Sequence, residues 1–235
     1  MSFDRLAPHY RWMEWLLAGG KLQRCRTTFL DTLPPVRHAL LLGEGNGRFL
    51  QEFLGKQPGT RVTCLDASPH MLKVARQTAH AEACVTFVCC DVTEWKPPPA
   101  EFDLVVSNFF LDCFRPDQIE LIAEKISGLT DGARWLIADF CEPRRGWRKW
   151  RARVILQAMY CFFRGATNLP ANKLTVPDAI LARHGFELHA RRTFEWGLLQ
   201  SDLWVQRRKA GRAIPSAPHI AFNTRGTPIV TLNSH

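Results

Sequence analysis

Between residues 38 and 108 the chain alternates short apolar runs with stretches in which apolar residues recur every three to four positions. The runs Ala39–Leu42, Arg61–Asp66, Cys84–Cys90 and Phe102–Asn108 are too short for helices and predict strands. Phe49, Leu50, Phe53 and Leu54 have helical spacing, as do Met71, Leu72 and Ala75. Ser68-Pro69 supplies a start for the second of these helices, with Ser68 as N-cap and Pro69 at the first position. Pro97-Pro-Pro99 marks a loop. Before the first strand, Phe3, Leu6, Tyr10, Met13 and Leu17 predict a helix ended by Gly19-Gly20. A second helix is predicted from about Lys21 to Leu33, stopped by Pro34-Pro35.

The first strand breaks into Gly43-Glu-Gly-Asn-Gly47 and then passes into a helix. Glycines at a strand end permit positive φ and keep Cβ atoms out of a ligand's way, while the free N–H groups of the next helix face the turn. Such a turn suits a nucleotide-like cofactor. The spacing is not G-x-G-x-x-G and no Gly-Lys-Ser/Thr follows, which disfavours a phosphate-cradling loop. Asp66 ends the second strand about one helix and one strand after the turn, where a carboxylate accepts hydrogen bonds from both hydroxyls of a ribose. Asp91 follows the third strand and Asn108 ends the fourth. All of these groups fall on the carboxyl edge of a parallel sheet, where open α/β folds bind ligands.

With 235 residues, 46% of them hydrophobic, the chain can bury one sizeable core. A formal charge of +9 favours anionic partners such as nucleic acid or acidic membrane. The eight cysteines show no Cys-x-x-Cys and read as small buried hydrophobes of a reduced compartment, which argues against disulfides and against a metal site. The N-terminus has no secretory pattern and no apolar run is long enough to span a bilayer, so a cytoplasmic protein is expected.

Leu-Leu-Leu-Gly-Glu-Gly-Asn-Gly, Leu-Asp66-Ala-Ser, Cys-Asp91-Val and Phe-Asp-Leu-Val-Val-Ser-Asn108 together resemble the class I S-adenosylmethionine-dependent methyltransferases over roughly residues 38–140. Phe3-Asp-Arg-Leu-Ala-Pro-His-Tyr10 is similar to the lead-in of their small-molecule branch, which includes the ubiquinone/menaquinone C-methyltransferases. Glu120–Leu129, then Thr130-Asp-Gly and the run to Asp139, resemble that family's fourth helix, glycine-bearing turn and fifth strand. Gly185-Phe186 and Leu198–Arg207 resemble its closing antiparallel pair.

The resemblance implies an α/β fold: a Rossmann-like, doubly wound, seven-stranded, mostly parallel sheet with an N-terminal helical lid. Its methyltransferase domain would span 1–209, with the lid at 1–35, a helical insertion at 144–164 and an irregular tail at 210–235. It implies S-adenosyl-L-methionine as cofactor and no metal. Gly43, Gly45 and Gly47 would pass beneath the methionine part of the cofactor, and Asp66, beside Ala67, would hold the ribose. Met71 would pack on the adenine, Asp91 and the Val92 backbone would meet its amino group, Asn108 would lie near the sulfonium, and Tyr10 would close over the site. The family usually carries an acid where this chain has Leu41; Glu44 either replaces that charge or points to solvent.

Asn108-Phe-Phe-Leu-Asp-Cys-Phe114 is the expected reaction centre, with Asp112 as a candidate base whose pKa burial would raise. The alternative is that Asp112 caps the helix near Pro116 or pairs with Arg115. His9, His184 and His189 read as surface or packing residues. Trp147, Trp150, Val154, Ala158, Cys161 and Phe162 form one helical stripe, and basic residues crowd its first half. This is expected to be a lid on the acceptor cleft, apolar side inward, that also touches anionic membrane at the inner membrane surface. The same Arg/Trp pattern fits RNA contact. The expected acceptor is small and lipophilic. An RNA methyltransferase and a non-catalytic methyltransferase-like binding protein are the alternatives.

Overall fold

The computed structural model describes residues 19–80, 84–96, 102–143, 146–166, 174–208, 221–222 and 228–229. In chain order these hold α1 (Gly19–Thr27), β1 (His38–Leu42), α2 (Arg48–Lys56), β2 (Arg61–Asp66), α3 (Pro69–Ala79), β3 (Val85–Cys89) and β4 (Phe102–Asn108). There follow α4 (Pro116–Leu129), β5 (Thr130–Phe140), α5 (Gly146–Ala166), α6 (Asp178–Arg183), β6 (Phe186–Phe194) and β7 (Leu199–Gln206). A seven-stranded sheet runs in the order β3-β2-β1-β4-β5-β7-β6. Strand β7 pairs antiparallel with both β5 and β6, and the other pairings are parallel. The strand order reverses between β1 and β4, the switch point at whose carboxyl side open α/β folds bind ligands.

Alternation along β1 divides the core between the two faces of the sheet. Leu40 and Leu42 pack in one layer with Ile119, Ile122 and Ile126 of α4 and Leu181 of α6. Ala39 and Leu41 pack in the other with Phe49, Leu50 and Phe53 of α2. Each buried Leu or Phe of this kind contributes roughly 1.5–3 kcal/mol, so the two layers fix where the strand ends lie. Trp135 is fully buried and its Nε1 donates to Ser107 Oγ at 3.0 Å, tying β5 to β4.

Four expectations need correction. Gly19 and Gly20 are helical, and α1 stops at Thr27 rather than Leu33. The hydroxyls of Thr27 and Thr28 turn back on the carbonyls of Gln23 and Arg24 at 3.0 and 2.6 Å, competing with further helix, and a 3₁₀ turn at Leu30–Thr32 follows. Thr130-Asp-Gly belongs to β5: a two-residue step along β4, Phe102 to Leu104, matches a four-residue step along β5, Thr130 to Arg134, and Gly132 at φ 72° takes up the bulge. Within the segment read as an irregular tail, Ala221–Phe222 and Pro228–Ile229 pair as a short antiparallel ladder.

The fourth concerns α5. Among its described side chains the buried ones are Ala152 and Leu156, which pack with Ala138, Phe140, Leu198 and Leu199. Trp147, Trp150 and Val154, expected to face inward, are exposed. Small Ala152 lets the helix approach the sheet, and the cations on its flanks are held by Glu142 and Trp196. The predicted helix at 3–17, with His9 and Tyr10, lies outside the described residues, as do Pro97–Pro99 and the side chains of Cys161 and Phe162.

Candidate functional site

The carboxyl ends of β1 to β4 bring the glycine turn, Asp66, Asp91 and Asn108 to one edge of the sheet. The three glycines do different things. A Cβ on Gly43 would lie 2.2 Å from the Phe110 ring, and one on Gly47 would lie 2.7 Å from the Ala75 backbone, so both positions are occupied by protein. Gly45, at φ 70°, faces the side chain of Met71, whose Cε would sit 3.5 Å from an added Cβ. Met71 itself is buried, and α3 is aimed by Ser68, whose Oγ accepts from the Met71 N–H at 3.2 Å.

Asp66 is half-buried and its Oδ1 accepts from the Ser68 N–H at 2.9 Å; Ala67, half-buried, forms the bend between them. Asp91 is oriented in the same way. Its Oδ1 accepts from the N–H and hydroxyl of Thr93 at 2.8 and 2.6 Å. The loop that carries it is held by Lys125 of α4, whose Nζ donates to the carbonyls of Val92, Thr93 and Trp95 at 3.1, 2.5 and 3.0 Å. Val92 turns its side chain into the core.

Leu41 is 1% exposed and packs beneath α2, so its side chain is core. Glu44 does not point simply to solvent. It is half-buried and its Oε1 accepts from the Leu50 N–H at 2.9 Å, closing the first turn of α2. Burial raises its carboxyl to about 7, opposed by that backbone bond and by Arg26. Arg26 is a residue that sequence reading missed. It comes from α1, is buried, and holds its guanidinium 5.2 Å over the Phe109 ring. One arginine among 31 basic residues, on a helix before the first strand, carries no local signal.

Asn108 closes β4 at 6% exposure, and its Oδ1 is buried with no partner among the described residues. A buried, unpaired carbonyl costs free energy until a donor reaches it. Phe109, next in the chain, sits at φ 52°, a left-handed conformation that is strained in a bulky residue.

Asp112 neither caps α4 nor pairs with Arg115. The N-cap is Arg115, whose guanidinium engages Asp117. Asp112 is 6% exposed, and its N–H donates to Asp139 Oδ2 at 3.1 Å. Burial lifts the Asp112 carboxyl to about 6 and holds Asp139 well above the usual carboxylate range, where the nearby Asp112 charge adds to the effect. Asp139, at the end of β5, is the second residue not singled out from sequence; only its place at a strand end hinted at it. Among the histidines, His184 meets Glu120 at 2.7 Å and His189 is exposed. Of the described cysteines, Cys25 and Cys64 are buried, and burial pushes the Cys25 thiol up to about 12, but Cys89 is exposed. No cluster of metal-binding side chains occurs among the described residues.

Residues 39–132 match the family described as a methyltransferase domain. A demethylmenaquinone methyltransferase of Thermus thermophilus is 28% identical over 166 residues, covering 69% of this chain and 75% of that protein. Other curated relatives are matched over only 26–46% of their lengths. The mitomycin 7-O-methyltransferase MmcR shares the fold with a TM-score of 0.63 at 16% identity, over 88% of this chain and 61% of that one. Magnesium protoporphyrin IX methyltransferase from Synechocystis, solved with bound SAH, superposes with a TM-score of 0.56 at 18% identity, over 80% of this chain and 86% of that one.

Proposed function

We propose that this chain, a class I S-adenosylmethionine-dependent methyltransferase, transfers its methyl group to a small lipophilic acceptor of quinone-like character. The observation that carries the cofactor assignment is the buried, unpartnered Asn108 Oδ1 at the switch point between β1 and β4. An acceptor atom there suits a ligand rich in N–H donors, and the adjoining residues fit the rest of S-adenosylmethionine. Gly45 brings the turn's backbone against Met71, Asp66 suits the ribose diol, and Asp91, braced by Thr93 and Lys125, suits the adenine amino group. Met71 supplies an apolar wall, Arg26 a cation for the cofactor's carboxylate, and Glu44 a carboxyl beside its ammonium. Tyr10 is assigned to cover the site on resemblance alone.

When bound, the cofactor supplies a methyl carbon already activated by positive sulfur. The protein's task is then to align the acceptor and receive the proton it loses. Asp112 is suited to receive it, because burial lifts its carboxyl to about 6 and the neighbouring Asp139 is likewise held above the usual carboxylate range. The lipophilic acceptor is supported by Phe109, Phe110, Phe114 and Phe140 around this edge and by the demethylmenaquinone substrate named for the Thermus relative. The RNA alternative rests on charge and the Arg/Trp cluster alone.

The test is to incubate protein, methyl-labelled cofactor and a cell extract, then separate the products by solubility. Label in the lipid phase is expected; label only in nucleoside would overturn the acceptor class. With a purified acceptor, turnover should rise as pH passes through about 6, and Asp112→Asn should lower it about 10²-fold or more and remove that rise. An unchanged profile in the variant would remove Asp112 from the reaction.

A further inference from the structure

We propose that the outer face of α5, with the neighbouring turn at 195–197, is a docking surface for an acidic lipid membrane. Three tryptophans lie on this surface with 62% (Trp147), 71% (Trp150) and 57% (Trp196) of their area exposed, and Val154 is 46% exposed. They form one patch on two elements: the Trp147 and Trp196 rings are 6.4 Å apart, and α5 packs directly on the turn. Exposed apolar patches of this kind mark places where something else binds.

The backbone holds Trp196 outward at some cost. Glu195 and Trp196 stand at φ 50° and 56°, followed by Gly197 at 88°, so two non-glycine residues occupy the left-handed region in succession. Over half of Trp196 nevertheless meets solvent.

Charge selects the partner. Arg148 and Arg153 are exposed along the same helix, with Lys149 and Arg151 half-buried beside them; the carboxylates nearby are Glu142 and Glu195. Arg151 lies 4.8 Å over the Trp196 ring, a cation–π contact that keeps a positive charge against the face of an aromatic anchor. Tryptophans beside arginines fit the boundary between head groups and acyl chains. No helix among the described residues is long and apolar enough to cross a membrane, so contact would be along the surface. A cavity of about 570 Å³ opens at the patch, lined by Cys141, Pro143, Arg148, Phe194 and Trp196 among others. Its use as an entry for the acceptor rests on the lipophilic reading above; the docking surface does not.

The experiment is flotation of the full chain with phosphatidylcholine vesicles, with and without phosphatidylglycerol, for the wild type, Trp147→Ala/Trp150→Ala and Arg148→Ala. Each preparation is also titrated with S-adenosylhomocysteine. Wild type should float with the acidic vesicles, the tryptophan pair should lose about tenfold in partition, and Arg148→Ala about fivefold, all with cofactor affinity unchanged. Equal flotation of all three proteins, or no flotation of a wild type that still binds S-adenosylhomocysteine, would overturn the docking surface and leave the methyl-transfer reading standing. Flotation without cofactor binding would do the reverse. Salt-sensitive binding of single-stranded RNA that the same substitutions abolish, with no flotation, would replace membrane by RNA.

Discussion

The two ends of the sheet's carboxyl edge are built differently. Around β1 to β3, three carboxylates each accept from a neighbour close in the chain: Asp66 from Ser68, Asp91 from Thr93, Glu44 from the amide of Leu50. Around β4 to β7, the partners come from far away. Asp112 meets Asp139, 27 residues on, and Cys25 of α1 reaches the Gln200 carbonyl across 175 residues. Arg191 forks between Asp178 and Asp202. The edge at β1 to β3 is thus shaped largely by short turns, with Lys125 as a distant brace, whereas the edge at β4 to β7 draws on partners far along the chain. Damage to the second should cost the protein its fold before it costs the first its ligand.

The largest expected effect tests that asymmetry. Arg191→Leu leaves the Asp202 carboxylate, 1% exposed, without its bidentate partner; unfolding free energy should fall by about 3–5 kcal/mol. Below the lowered melting point, affinity for S-adenosylhomocysteine should stay within about threefold of wild type, a change under roughly 1 kcal/mol. A large loss of affinity in the folded variant would break the separation of the two halves.

Gly47→Ala should be the next most severe. The new Cβ would meet the Ala75 backbone at 2.7 Å, and φ 80° already strains any L side chain. A backbone cannot yield as a side-chain tip does, so about 2–3 kcal/mol of stability should be lost, read by denaturant midpoint. Here affinity should fall as well, because α2 and α3 carry the glycine turn and Met71.

Glu44→Gln sharpens the comparison with a smaller effect. Gln keeps an oxygen for the Leu50 N–H but cannot ionise. Because the folded carboxyl sits at about 7, above its unfolded value, its contribution is fully present below the unfolded pKa and is lost as pH rises toward 7. Wild type should therefore lose stability between about pH 4.5 and 7, and the variant should lose less. Parallel pH profiles for the two would show that Glu44 titrates normally.

What could be read from the sequence divides along the same line. The strands, the glycine turn, Ser68-Pro69 and the strand-end acids carry their signals within a few residues, so the carboxyl edge of β1 to β3 was legible. Arg26 and Asp139 were not, because nothing near them in the chain marks a partner that only the closed sheet supplies. For α5, periodicity found the apolar stripe but not its direction. The helix buries the narrow Ala152/Leu156 face and leaves the tryptophans outside, an outcome decided by fit against Phe140 and Leu199 rather than by hydrophobicity.

Titration of the wild type and Asp66→Ala with S-adenosylhomocysteine addresses the cofactor edge most directly. One site is expected in the wild type. Loss of a charged acceptor on the ribose should cost about 1.5–3 kcal/mol, so the variant should bind roughly 10- to 150-fold more weakly. Its melting temperature without ligand should stay close to that of the wild type. Equal affinity in the two proteins, or no binding by the folded wild type, would contradict the placement of the cofactor at the ends of β1 to β4.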